Sequence, residues 1–372
     1  MRAFPSLGAL PILATMGLRI LHIDAGREWR GGQRQVWLLA QGLRSRGHEP
    51  LVVGIPDSPL LQRLRARGIA VAAVPMRADW DLRAARRIRA LIRAWRPDVV
   101  HAHDARAHAI AIAALLGSHV PLVVTRRVAF VPKSVRLKYG RRVSRFIAIS
   151  EAVRDAMIRG GVERDRIDVV FSGVPTPEVN HPRDWRRECG WPDDTVLCGV
   201  VGAMTAEKGI GLLTEVAQRL PLAARSRARL VLLGGQSSGR CNIGGIDAYR
   251  AGFVDEIHAA MSGLDILLHP SSAEGLGTAV IDAMALGVPP VAFAVGGLVE
   301  LVQHERNGLL VRIGDAADFA DATARLVTDE RLRRRLGSAG PLRAAEFDVD
   351  SMVAGSEDVY ASVINARTAA VV

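Results

Sequence analysis

The stretch EGLGTAVID, residues 274–282, carries two carboxylates, the first on a glycine-punctuated turn and the second inside a helical pattern. It follows LDILLHPS, an apolar run that reads as a buried strand. In open parallel sheets ligands bind beyond the carboxyl ends of strands, so Glu274 stands where a ligand would arrive. Gly275 and Gly277 let backbone approach a guest closely, Thr278 is placed to N-cap the helix AVIDAMAL, and Gly287 ends it. A helix N-terminus attracts anions, which makes a phosphate the natural occupant. Asp282, one turn in, would then accept hydrogen bonds from a ribose diol, while Glu274 reaches the opposite end of the ligand. Spacing alone leaves a second account open, in which Asp282 complements the helix dipole and Glu274 is a surface loop residue.

Three further groups are chemically suggestive. Lysine occurs only at 133, 138 and 208, and Lys208 lies in VVGAMTAEKG, directly after another strand-like run. In DAGREWRGGQRQV, residues 24–36, Gly31 and Gly32 precede a helix, but the pattern is not G-x-G-x-x-G and argues against a nicotinamide cofactor. HAHDARAH, residues 101–108, places His101, His103 and His108 near Asp104. His101 and His103 would share one face of a strand end, yet a zinc site needs more ligands than the pattern supplies, and no metal is expected.

These groups need a scaffold, and the rest of the chain provides the pattern of one. Its 372 residues are 49% hydrophobic, enough for two cores. LRILHID, PLVVGI, VAAVPM, PDVVHAH, PLVVT and RFIAIS alternate with helical patterns (about Gln33 to Arg46, Leu60 to Arg67, Asp81 to Trp95, Ala107 to Leu116), as in a parallel sheet covered on both faces. SGVPTPEVNHPRDW breaks the rhythm as a linker. It then restarts with TVLCGVVGAM, ARLVLLGG, AGFV, LDILLHPS, VPPVAFAVGG and NGLLVRI. The fold class read from this is α/β, two Rossmann-like domains. Expected boundaries are an extension over 1–16, a first domain over 17–176 and a second over 177–347, with a terminal helix over 348–366. Three cysteines without paired spacing exclude a disulfide framework and fit a reducing cytoplasm.

Charge separates the halves. Of the net +11, residues 1–178 carry +16 and the remainder −5. VVTRRVAFVPKSVRLKYGRRVSRF, residues 123–146, holds eight basic residues and no acid, interleaved with Phe130, Val131, Val135 and Leu137. Such a segment suits an anionic acceptor or an anionic membrane surface. Nucleic acid is not expected, because aromatics are few and no binding module appears.

The run HPSSAEGLGTAVIDAMALGVPPVAFAVGGLVELVQHERNGLLV resembles the donor-site signature of glycosyltransferase family 4, retaining enzymes of the GT-B fold. The resemblance extends from LRILHID to the terminal helix. It implies two domains facing each other across a cleft, the first binding acceptor and the second a nucleotide-diphosphate sugar, with the terminal helix crossing back onto the first. It implies that Glu274 contacts the donor sugar, that Asp282 holds the ribose, and that Gly275, Leu276, Gly277, Thr278 and Gly32 line the donor. Lys208 matches the lysine that neutralises the diphosphate. Arg127 takes the place where many relatives have a histidine, and with Glu274 and Lys208 completes the expected catalytic set. Arg126, His103, Asp104 and Gln33 are the acceptor-side candidates. Asp282 stands where the family has Glu, and Ala203 where it has Arg, which removes one cation from the leaving-group site.

The implied activity is transfer of a sugar, with retention and without metal or other cofactor, to a cell-envelope glycan or lipid-linked acceptor at the cytoplasmic face of the membrane. A nucleotide-sugar epimerase on the same fold and a catalytically weak sugar-binding scaffold are the alternatives.

Overall fold

The computed structural model describes residues 17–132 and 138–369, so the expected leader and residues 133–137 of the basic stretch lie outside the described residues. The first sheet contains β1 (Arg19–Ile23), β2 (Glu49–Gly54), β3 (Ala70–Ala73), β4 (Val99–Ala102), β5 (Leu122–Arg126), β6 (Arg145–Ala148) and β7 (Ile167–Val169), in the order β3-β2-β1-β4-β5-β6-β7. β1 runs parallel to β2 and β4, β2 to β3, and β4 to β5. RILHI and VVHA are buried almost throughout, as strands covered on both faces must be.

Side-chain caps fix where the intervening helices begin. Asp81 accepts from the backbone N–H of Arg83 and Ala84 at the start of Leu82–Trp95. Asp104 does the same through Arg106 and Ala107 for Ala105–Ala114, and Ser150 through Val153 for Glu151–Arg159.

The second sheet contains β8 (Val196–Val201), β9 (Ala228–Leu233), β10 (Ser238–Ile243), β11 (Ile246–Gly252), β12 (Ile266–His269), β13 (Pro290–Phe293) and β14 (Leu309–Val311), in the order β10-β11-β9-β8-β12-β13-β14. Among the described residues of this sheet β10 alone runs antiparallel to its neighbour, forming a hairpin with β11. The sequence reading missed β10 and placed a strand at AGFV. The hairpin turns at Gly244 and Gly245, both at positive φ, between the facing residues Ile243 and Ile246. A two-glycine turn is the signal that should have revealed it. The core of this domain is built by Val196, Cys198, Leu230, Ile266, Leu268, Val291 and Phe319 among others.

The described residues group into two compact units, one of 17–125, 138–146 and 353–369, the other of 126–132 and 147–352. The terminal helix Val349–Ala369 buries Val353, Val359, Tyr360 and Val363, following the spacing read from the sequence. Within the first unit, Tyr360 is fully buried with its hydroxyl 2.7 Å from His101 Nδ1, and Glu357 pairs with Arg46 at 2.7 Å and His48 at 2.8 Å.

Both sheets reverse their strand order beside their first strand, between β1 and β4 and between β8 and β12. Asp24, His103 and Asp104 follow the first pair of strands, and Lys208 and Glu274 follow the second. These are the crevices where open α/β sheets receive ligands.

Removing the Tyr360 hydroxyl leaves His101 Nδ1 without it in a dry interior. Tyr360→Phe is expected to lower stability by about 1–2 kcal/mol, read as an earlier urea midpoint at unchanged slope.

Candidate active site

The second unit holds the denser constellation. Lys208 closes the short turn Ala206–Lys208 after β8, and its Nζ lies 2.5 Å from Glu274 Oε2. His269, the last residue of β12, places Nε2 3.0 Å from the same oxygen. The carboxylate only accepts, so both nitrogens donate to it. Burial alone would raise the Glu274 carboxyl, but the hydrogen bond and charge of His269, together with Lys208, hold it down at about 2. Glu274 is therefore an anion at every physiological pH, suited to accepting hydrogen bonds and unsuited to donating a proton.

Backbone packing sets the loop that carries it. Gly277 sits at φ +101° as the cap of the helix Thr278–Ala285 and supplies no side-chain cap. Thr278, expected at the cap, is instead the first helical residue, because the left-handed turn that aims the helix requires glycine one position earlier. A Cβ on Gly275 would stand 2.0 Å from the Arg127 carbonyl oxygen, and the Gly275 carbonyl accepts from Ser150 Oγ at 2.7 Å. Leu276 is 1% exposed and anchors the loop in the core. Asp282, fifth in the helix, is also buried, with Oδ1 2.8 Å from His258 Nε2.

Of the two arginines, Arg127 falls beside this loop. Arg126 donates through Nη2 to the Phe130 carbonyl at 3.1 Å, while Arg127 meets the loop through its backbone at Gly275.

In the first unit the acceptor-side candidates Gln33 and Asp104 are tied to the residues around the end of β1. Gln33 Nε2 donates to Asp24 at 3.1 and 3.2 Å, and Asp24 also accepts from Gly26 N at 2.9 Å. Asp104 caps its helix and accepts from Ala25 N at 2.6 Å, tying the β4 end to the β1 end. Gly31 and Gly32 are the first two residues of the helix Gly31–Ser45 rather than a turn before it.

The histidines rearrange the expected cluster. His22, His101 and His103 bring ligand atoms within 4.8 Å of one another, whereas His108 packs edge-on against Tyr139. His22 Nδ1 is 2.9 Å from His103 Nε2, and His101 Nε2 is 2.7 Å from Thr125 Oγ1. Burial pushes His22 down to about 3, so its imidazole stays neutral. Among the described residues this trio alone has metal-ligand spacing; His22 pairs with His103, while His101 pairs with Thr125 and Tyr360.

Residues 29–178 match the family model for glycosyltransferase family 4, and residues 182–343 that for glycosyl transferases group 1. A D-inositol 3-phosphate glycosyltransferase of Xylanimonas cellulosilytica is 30% identical over 310 residues, 73% of this chain and 73% of its own. The chain belongs to glycosyltransferase family 4. This family 4 glycosyltransferase is also similar to a 2-deoxystreptamine N-acetyl-D-glucosaminyltransferase of Streptomyces fradiae, at 28% identity over 87% of the chain and 88% of the relative. HepE of Anabaena, solved in complex with UDP-glucose, shares its fold with a TM-score of 0.79 at 20% identity, over 93% of this chain and 100% of that one. The lipopolysaccharide outer core galactosyltransferase WaaB, in its apo form, does so with a TM-score of 0.70 at 16% identity, over 92% and 99%.

The sequence reading named Glu274, Lys208 and Asp282 as candidates and did not name His269, His258 or Glu300; the structure pairs His269 with Glu274 and His258 with Asp282. His269 carried a signal, since a polar residue at the end of an otherwise apolar strand points at the same crevice as Glu274. His258 and Glu300 reach their partners only through the fold. The Glu300 carboxylate accepts from the backbone N–H of Glu151 and Ala152, each at 2.9 Å.

A carboxyl held below its ordinary value stabilises the fold at higher pH. The Glu274 contribution is fully present above 4.5 and is lost as the pH falls through about 2. Glu274→Gln should therefore melt below the parent at neutral pH, with the gap closing as the pH falls from 4.5 to 2. The same variant is expected to lose about 100-fold or more in kcat.

Proposed function

We propose that this glycosyltransferase takes its sugar from a nucleoside-diphosphate donor bound at the β8 and β12 ends of the second sheet, and passes it with retention to an anionic cell-envelope glycan or lipid-linked acceptor. The observation that carries the reading is the joining of Lys208, Glu274 and His269 beside an uncapped helix N-terminus. Lys208 and the backbone N–H groups at Thr278 would neutralise the diphosphate, the charge that grows as the bond to the sugar breaks. Glu274, locked as an anion, would orient sugar hydroxyls. Because its carboxyl is held down at about 2, Glu274 is a weak base, and the departing phosphate takes the acceptor's proton in a front-face substitution. Arg127, whose backbone abuts Gly275, is assigned as the second cation in place of the one lost at Ala203. No metal is needed with two cations and a helix terminus at the diphosphate.

The structure of HepE with UDP-glucose favours a uridine nucleotide as the first to test. The acceptor reading rests on the +16 of residues 1–178 and on exposed Val128, Phe130 and Val131 within the basic stretch. That combination favours work at an anionic membrane face, and we place the protein in the cytoplasm on that basis.

Calorimetric titration with UDP, GDP and ADP tests the donor site. One nucleotide should bind in the micromolar range, and Lys208→Ala should weaken it about 10-fold or more. Failure of all three to bind the folded protein would remove the reading. With the donor known, EDTA is expected to leave the transfer rate unchanged, and sedimentation with anionic liposomes at low salt should carry the protein down.

A further inference from the structure

The second acid of the pair is poorly placed to meet a ligand itself. The Asp282 side chain is 3% exposed, whereas that of His258, whose Nε2 lies 2.8 Å from Asp282 Oδ1, is 16% exposed. His258 belongs to the short helix Ile257–Ser262, just past the carboxyl end of β11 and on the ligand-receiving edge of the same parallel sheet. A molecule arriving there meets the imidazole before it meets the carboxylate.

The pairing fixes the imidazole by Nε2, 2.8 Å from Asp282 Oδ1, and so turns Nδ1 to the other side of the ring. A histidine ring nitrogen can accept the hydrogen of a ribose hydroxyl. Asp282 is one methylene shorter than the glutamate of the family pattern. An imidazole in front of the shorter acid restores the reach and offers the ribose a hydrogen-bonding group held in place by a buried carboxyl.

We infer that His258, oriented by Asp282, accepts the hydrogen bond from the donor's ribose hydroxyls, with Asp282 acting as a positioning residue behind it. This rests on the nucleotide-donor reading given above. It assigns ribose recognition to a residue on a different element, and it makes discrimination against deoxyribose depend on His258.

Calorimetry with UDP and 2′,3′-dideoxy-UDP separates the two readings. The parent should bind UDP about 10-fold more tightly than the dideoxy form, the scale of one good hydrogen bond. His258→Phe, which keeps the ring volume without an acceptor, should bind UDP about 10-fold more weakly and no longer distinguish the two. His258→Gln, which can donate to Asp282 and accept from a hydroxyl, should recover part of the preference, and Asp282→Asn should lose part of it. Melting curves establish that each variant is folded at the titration temperature. If His258→Phe keeps the full preference, or if the parent shows none, the inference is overturned while nucleotide binding stands. If UDP does not bind the parent and neither does any other nucleotide, the donor reading falls with it.

Discussion

A carboxylate buried in protein keeps its charge only where neighbours replace the water it has lost, and Glu274 has two such neighbours on one oxygen. Everything else in the second unit serves to bring Lys208, His269 and Glu274 to one point. Lys208 follows β8, His269 ends β12, and these strands are hydrogen-bonded neighbours in the sheet. The cluster is thus a product of strand order, since only at a reversal do the loops after two adjacent strands turn apart and leave a crevice. The lysine and the acid neutralise each other. In the proposed function a diphosphate would take over Lys208 and leave Glu274 to the sugar.

Precision in the loop comes from backbone. Besides the contact between Gly275 and Arg127, a Cβ on Gly296 would stand 1.8 Å from the Glu274 carbonyl oxygen, and one on Gly297 2.5 Å from that of Gly275. Three segments therefore meet at the loop with no room for side chains. Ser150 Oγ and the Glu300 carboxylate lock the same segments together, one through a loop carbonyl and the other through the N–H groups of a helix start. Glycines in such positions are a mechanical requirement, because any substituent would push Glu274 away from both of its partners.

The fold was legible because its determinants are local. Alternating apolar runs and capped helices gave twelve of the fourteen strands at least in part, and the exceptions are β7, only three residues long, and β10, a hairpin strand of mixed exposure. Site residues on strand ends were legible for the same reason. What the sequence did not display were pairings between distant elements. The sequence named Gln33 and Asp104 but not their partners, Asp24 for the one and the backbone of a helix start for the other. The expected group of His101, His103 and His108 became His22, His101 and His103, because adjacent strands β1 and β4 bring His22 and His101 into register. His258 was invisible for a different reason, since its significance lies entirely in the carboxylate 24 positions away.

A crystal structure of the protein soaked with UDP tests the central claim most directly. The account predicts the β-phosphate within about 3 Å of Lys208 Nζ, at the start of the helix Thr278–Ala285, with the Lys208–Glu274 contact lengthened. Nucleotide bound elsewhere, with Lys208 still held by Glu274, would contradict it.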